Sequence, residues 1–274
     1  MTTAAALAAA TATLGAVSDT PRLDAELLLA HALGIERERL LLDGDRLPVP
    51  DAFAGLIARR AAHEPVAYIL GYRDFWSIRL HVGPGVLIPR PDSETLIEAA
   101  LAHCPDRAAP LRILDLGTGP GTLLLAALSE FPGAHGLGID ASDVALDYAR
   151  RNAETLGLAD RALFRKGDWA EGLSGTFDLI LCNPPYVESD ARLDRQVADF
   201  EPAAALFAGP DGLDDYRRIV PVLPGLLSPD GLAVLEIGHS QAPAVGQLVE
   251  EAGMRWQCRQ DLGGRDRAIL CHLS

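Results

Sequence analysis

Along roughly the first 70 residues, apolar positions recur at helical spacing, and short helices are the expectation. In "TPRLDAELLLAHALG", Thr20 stands at an N-cap position, Pro21 at the first helical position and Gly34 at the stop. Leu23, Leu27, Ala30 and Leu33 would form the apolar face of that helix. "VPDAFAGLIARRAAHEP" repeats the style, with a helix ending before Pro65. The character changes at "DFWSIRLHVGPGVLIPRPDSE", where Phe75, Ile78, Leu80 and Val82 suggest strands and the Gly-Pro-Gly at 83–85 a turn. This reads as a hairpin-like connector.

From Asp92 onward helices and strands alternate. "SETLIEAALAHC" is a helix that Ser93 or Asp92 can cap, "LRILDLG" a buried strand and "GTLLLAALSEF" a helix. "AHGLGID", "RALFRKGD", "TFDLILCNPP" and "GLAVLEIG" are further strands. Between and after them, "SDVALDYARRNAETLG", "LDDYRRIVPVLPGLL" and "QAPAVGQLVEEAG" are helices, and "MRWQCRQD" with "RDRAILCHL" forms a terminal strand pair. Continuous apolar strands separated by helices mean a parallel sheet covered on both faces. The expected fold is therefore α/β, a Rossmann-like, mostly parallel seven-stranded sheet preceded by a small helical domain. The boundaries expected are 1–72 for the helical domain, 73–88 for the connector and 89–274 for the sheet domain.

Composition adjusts this picture in three ways. The Ala-rich start has no basic residue before Arg22, so it reads as a helix of a cytoplasmic protein rather than an export signal, and no apolar stretch is long enough to span a bilayer. Cys104, Cys182, Cys258 and Cys271 show no C-x-x-C spacing and the histidines no H-x-x-x-H pairing, so no metal is expected. The net charge is −14, and Lys166 is the one lysine, its fellow cations being arginines dispersed among acids. A protein that grips a nucleic-acid backbone needs a basic face. No direct nucleic-acid binding and no membrane association are expected, and a monomer is.

In parallel sheets, ligands bind beyond the carboxyl ends of the strands, so those ends decide the chemistry. The first is Asp115-Leu116-Gly117-Thr118-Gly119-Pro120-Gly121. Its glycines let the backbone turn tightly and approach a ligand. Thr122 occupies the sixth position of a would-be G-x-G-x-x-G, which removes the dinucleotide reading and with it a dehydrogenase. Asp140 closes the second strand and is suited to bind the two hydroxyls of a ribose; its plainer role is to cap the next helix. Asp168 and Trp169 follow the third, offering a carboxylate to an adenine amino group and an indole wall to its ring.

The fourth end is Asn183-Pro184-Pro185-Tyr186. Consecutive prolines stop the strand ladder and hold Asn183 extended. The D-x-G-x-G-x-G turn and this N-P-P-Y tetrapeptide resemble those of S-adenosylmethionine (AdoMet)-dependent methyltransferases that act on planar nitrogens. Such a nitrogen is a poor nucleophile because its lone pair is conjugated, as the roughly 18–20 kcal/mol barrier to amide rotation shows. The Asn183 side-chain oxygen and the Pro184 carbonyl can each accept one hydrogen of the substrate NH₂ and favour its pyramidal form. Tyr186 can stack on the planar group, with a π face near developing positive charge worth roughly 0.5–2 kcal/mol.

The motif alone leaves adenine, cytosine and guanine amines open beside a glutamine amide. The wider order narrows this: "EPVAYILGYRDFW", "VLIPRPDSETLIE", "DLGTGPG", "NPPY", "EPAAALFAGPDGLDDY", "LEIGHSQ" and "GGRDR". Together they resemble the peptide chain release factor glutamine N5-methyltransferase family, of the HemK or PrmC type. The resemblance implies methylation of the glutamine in the Gly-Gly-Gln loop of bacterial class I release factors. It implies AdoMet held by Asp115, Gly117, Thr118, Gly119, Pro120 and Gly121, with Asp140 at the ribose, Asp168 and Trp169 at adenine, and Asn183 bordering both ligands. Positions Asn183, Pro184, Pro185 and Tyr186 would receive the glutamine, with Asn183, Pro184 and Tyr186 catalytic, and the helical domain would help dock the release factor. Pro120 stands where this pattern more often has serine, and Ser93 where threonine is usual. The competing readings are a DNA or rRNA exocyclic-amine methyltransferase using the same tetrapeptide, and an interaction module of this fold without activity.

Overall fold

The computed structural model describes residues 2–274. The chain divides into two units, Met1–Tyr72 with Leu193–Glu201, and Arg73–Arg192 with Pro202–Ser274. The first holds the helices Thr3–Leu14, Pro21–Leu33, Arg37–Asp43, Ala52–Ala61 and Val66–Leu70, joined by the short helix Arg195–Ala198. Leu14, Ala25, Leu28 and Leu29 are wholly buried at its centre.

The helix Pro21–Leu33 faces this core differently from expectation. Ala25, Leu28 and Leu29 point inward, whereas Leu23 is 38% exposed and Leu27 and Leu33 are only partly covered. Two acids explain the rotation. Asp24 accepts from Arg60 Nε at 2.8 Å, and Arg60 is itself 3% exposed. Glu26 accepts from Arg22 Nε at 2.6 Å and Arg37 Nη2 at 2.7 Å. Burial alone would raise the Glu26 carboxyl, but the two arginines outweigh it and hold it below the usual range. A periodicity that counts only apolar residues leaves such paired acids on the surface and so misplaces the inward face. The start is corrected too: Thr20 occupies the N-cap position, yet its hydroxyl donates to Asp24 Oδ1 at 3.4 Å rather than capping the helix. At the other end Gly34 takes the expected left-handed turn.

The second unit opens on a hairpin, β1 (Tyr72–Phe75, its first residue belonging to the helical unit) and β2 (Ile78–His81), which buries Phe75, Ile78, Leu80 and, just beyond, Val82. Its sheet contains β3 (Arg112–Leu116), β4 (His135–Asp140), β5 (Ala162–Lys166), β6 (Phe177–Cys182), β7 (Leu227–Glu236), β8 (Met254–Gln260) and β9 (Asp266–Leu273). The order is β5-β4-β3-β6-β7-β9-β8, with β9 running opposite to both β7 and β8, so the expected seven-stranded, mostly parallel sheet is what forms. Both faces are covered. Ile113, Leu179, Leu181 and Val234 pack with the helices Glu94–His103, Thr122–Glu130 and Asp143–Thr155. Leu114, Leu116, Ile180 and Leu235 pack on the opposite side with residues of the 214–226 segment and the helix Ala242–Glu251.

Two local expectations are corrected. The run expected as one helix is a helix Asp214–Ile219, a 3₁₀ turn Val220–Val222 and a helix Leu223–Leu226. Pro221 and Pro224 supply no backbone N–H, so a continuous α-helical ladder is not available there. Neither Asp92 nor Ser93 caps the helix that begins at Glu94, because a 3₁₀ turn, Pro91–Ser93, leads into it and Ser93 is turned inward.

Candidate active site

Parallel pairing aligns the ends of β3, β4, β5 and β6, which brings the four sequence-predicted segments to one edge of the sheet. At the first end, Asp115 is 1% exposed. Its Oδ2 accepts from the Thr118 hydroxyl at 2.6 Å and from Leu124 N at 3.2 Å, while Oδ1 has no partner among the described residues. Burial pushes this carboxyl up to about 7, helped by the Asp140 charge and opposed by the two hydrogen bonds.

The turn that follows is held from outside. Gly119 N donates to Asp140 Oδ2 and Ser142 N to Asp140 Oδ1, each at 2.8 Å. Capping of the next helix falls to Ser142, whose hydroxyl oxygen accepts from Ala145 N. The Pro120 carbonyl accepts from Asn152 Nδ2 at 2.8 Å, and Asn152 Oδ1 accepts from His81 N at 2.7 Å, which ties the turn to the hairpin. Gly117 has φ +71, and a Cβ there would stand 3.0 Å from the Trp169 ring. The glycine therefore permits both the left-handed backbone and the close approach of the indole.

Trp169 is itself left-handed, with φ +49, a costly conformation for a bulky residue. Its indole N–H donates to Asp215 Oδ1 at 3.1 Å, and burial raises the Asp215 carboxyl despite that bond. Asp168 pairs with Arg218 at 2.6 Å on the open rim, where such pairs contribute little.

At the fourth end, Asn183 Nδ2 donates to Ser93 Oγ at 3.3 Å. Tyr186 is half-buried, and its hydroxyl donates to Glu236 Oε1 at 3.3 Å. Burial first, and then the Glu236 charge, raise the Tyr186 phenol far above its ordinary range, so it stays protonated. Glu236 is 1% exposed, and burial pushes it up to about 7 against the influence of nearby Ser93, Arg267 and Tyr186; its Oε2 has no hydrogen-bond partner among the described residues.

These ends enclose a cavity of about 380 Å³. Asp115, Gly117, Thr118, Gly119 and Pro120 line it from the first end, Asp140, Asp168 and Trp169 from the second and third, and Asn183 and Pro185 from the fourth. Gly121, Pro184 and Tyr186 are not part of that wall. Gly121 instead begins the helix Thr122–Glu130 with φ +87, where a Cβ would meet Leu125 at 2.7 Å. The cavity also draws on residues that spacing did not mark. Gly85, Val86, Pro89, Arg90 and Ser93 arrive from the segment after the hairpin, and Asp215 and Arg218 from a helix distant in sequence. Val86, Pro89, Arg90 and Ser93 lie in "VLIPRPDSETLIE" and Asp215 in "EPAAALFAGPDGLDDY", segments that carry the family resemblance, but their place at the cavity depends on which segment crosses the strand ends.

The acceptors suit an adenosine-bearing cofactor with a cationic amino group. Both Asp140 oxygens take one N–H each and retain lone pairs for two hydroxyls. The orphaned Asp115 Oδ1, on a carboxyl whose ionisation burial opposes, is matched by a cation rather than by another acid.

Comparison with known proteins bears on the same point. Residues 5–71 match the family described as the PrmC N-terminal domain, and residues 108–211 match a methyltransferase domain. A release factor glutamine methyltransferase of Rhodospirillum rubrum is 47% identical over 258 residues, covering 92% of this chain and 79% of that protein. One from Cereibacter sphaeroides is 45% identical over 282 aligned positions, covering 100% of this chain and 99% of the relative. Among solved structures, the T. thermophilus 16S rRNA N2 G1207 methyltransferase, in complex with AdoMet and guanosine, aligns with a TM-score of 0.55 at 22% identity, over 74% of this chain and 50% of that one. That likeness is one of fold alone.

Proposed function

The chain belongs to the release factor glutamine methyltransferase family, and from that premise we propose that it methylates N5 of the glutamine amide in the Gly-Gly-Gln motif of bacterial class I release factors, using AdoMet. When bound, AdoMet supplies an electrophilic methyl group on a sulfonium and leaves as S-adenosylhomocysteine. The chain's own work is to hold and orient. Asp140 takes the ribose hydroxyls, Asp115 Oδ1 the cationic amino group, and Trp169, pinned by Asp215, provides the wall for adenine.

The observation that carries the substrate reading is the orientation of Asn183. Its Nδ2 is committed to Ser93, which leaves Oδ1 as the acceptor at the cavity wall. Asn183 Oδ1 and the Pro184 carbonyl then form a pair of acceptors suited to an NH₂ and unsuited to a carboxylate, so glutamine is taken and glutamate refused. Two accepted hydrogens draw the nitrogen toward the pyramidal form in which its lone pair is available. Tyr186, its hydroxyl held by Glu236, offers the open part of its ring to the planar group. Alignment of the two reacting centres supplies much of the rate. No strong base is needed, since the cationic methylated amide loses its proton readily to solvent.

On this reading the enzyme acts in the cytoplasm as a monomer, without gripping nucleic acid, in keeping with a net charge of −14. The helical unit serves to dock the release factor. Deleting residues 1–72 is therefore expected to weaken use of whole release factor more than AdoMet binding, and equal losses in both would reduce that unit to a structural support. The decisive test incubates the protein with AdoMet and, separately, release factor, DNA and rRNA, and locates the added methyl by mass spectrometry. Methyl on the Gly-Gly-Gln glutamine is expected; methyl on a base instead would overturn the proposal.

A further inference from the structure

The segment at the carboxyl end of β7, "LEIGHSQ", is one of the motifs on which the resemblance rests, yet none of its residues lines the cavity. Its side chains converge on the fourth strand end. Glu236 Oε1 receives the Tyr186 hydroxyl at 3.3 Å, while its buried Oε2 has no hydrogen-bond partner among the described residues, and Ser93 Oγ receives Asn183 Nδ2 at 3.3 Å. Gln241 Nε2 donates to the Tyr186 carbonyl at 3.1 Å and to the Gly212 carbonyl at 3.3 Å, while its Oε1 accepts from Gly238 N at 2.9 Å. Gly212 has φ +69, and a Cβ there would collide with the Tyr186 carbonyl oxygen, so the backbone approach is as close as the chain permits. Glu236 is anchored in turn by its own carbonyl, which accepts from the buried Tyr216 hydroxyl at 2.6 Å.

Ser93 Oγ accepts from Asn183 Nδ2, so Asn183 presents Nδ2 inward and Oδ1 outward. Without that fixed acceptor, the two faces of the Asn183 amide are nearly equivalent in shape, and the flipped amide would present a donor to the substrate's own donor. Building on the proposed function, we propose that Glu236, Ser93 and Gln241 are positioning residues of the amide-binding tetrapeptide: Ser93 sets the orientation of the Asn183 amide, Glu236 holds the Tyr186 ring through its hydroxyl, and Gln241 fixes the backbone where the tetrapeptide ends. None of the three is placed against the reacting atoms.

The test compares wild type with Ser93→Ala, Ser93→Thr and Gln241→Leu, measuring kcat and KM on release factor with labelled AdoMet, and AdoMet affinity by calorimetry. Loss of one orienting hydrogen bond is expected to lower kcat about tenfold in Ser93→Ala and Gln241→Leu, with AdoMet affinity within about twofold of wild type. Ser93→Thr, which keeps the hydroxyl, is expected to recover most of kcat. The inference is overturned if both damaging variants keep kcat within about twofold, if AdoMet affinity falls in step with kcat, or if Ser93→Thr is as impaired as Ser93→Ala. Failure of the wild type itself to methylate release factor would count against the function instead, which separates the two.

Discussion

On the proposed assignment of Asp115 Oδ1 to the cofactor's amino group, AdoMet binding is a titration. With its carboxyl pushed up to about 7 by burial, the cavity holds a mostly neutral acid at pH 5.5 and a half-ionised one at pH 7. A cationic amino group beside Oδ1 requires the ionised form, so binding must expel the proton. The ionised fraction of a group with that pKa rises from about 0.03 to about 0.5 across this window, a roughly fifteenfold gain in affinity, or ~1.6 kcal/mol. The window stops at pH 7 because the ligand's own α-amino group titrates at about 7.7–8.0. Calorimetry in two buffers of different ionisation enthalpy measures both quantities. Affinity should climb by that factor, and about 0.9 proton should leave per AdoMet bound at pH 6. Asp115→Asn should bind more weakly at pH 7 and lose the slope. A flat wild-type profile without proton release, or a variant that keeps the slope, would refute the assignment. The unliganded protein gives an independent check with its own sign. A carboxyl raised from 3.8 to about 7 contributes stability that is fully present below the lower value and lost as pH rises through the upper one. Asp115→Asn should therefore raise Tm relative to wild type at pH 8 and not at pH 4.

Three further outcomes follow from the same geometry. Asn183→Ala should reduce turnover about 10²–10³-fold, as expected for removing one transition-state hydrogen bond, measured with release factor and labelled AdoMet; near-wild-type turnover would sink the mechanism. Gly117→Ala combines a left-handed φ with a Cβ 3.0 Å from the Trp169 ring, so it should displace the indole, shift tryptophan emission and weaken AdoMet binding at least about tenfold. Asp24→Ala strands Arg60, buried to 3% exposure, and should destabilise the helical unit by about 3–5 kcal/mol in denaturant unfolding, whereas replacing both partners by apolar residues should cost much less.

What the chain disclosed in advance divides along a physical line. Continuous apolar strands announced the sheet, and the strand ends carried motifs because a turn that approaches a cofactor needs particular backbone freedom; Gly117, Gly119 and Asp140 were legible for that reason. The inward face of Pro21–Leu33 departs from its apolar period because Asp24 is buried by Arg60, 36 residues away, and Glu26 by Arg37, 11 residues away, together with Arg22 one turn before it; only the last of these pairs is visible from helical spacing. The break at Val220–Val222 is written in Pro221 and Pro224, whose missing N–H groups override the apolar period of that run. Ser93, Asp215, Glu236 and Gln241 belong to a third kind. Each lies in a segment that carries the family resemblance, but the partner it meets, Asn183, Trp169 or Tyr186, is set by the fold. Groups that meet substrate or cofactor are constrained by local chemistry and leave a local signature. Groups that aim them are marked in the chain by the family pattern but not by a local chemical one, and what each of them holds appears only once the strand ends have been brought together.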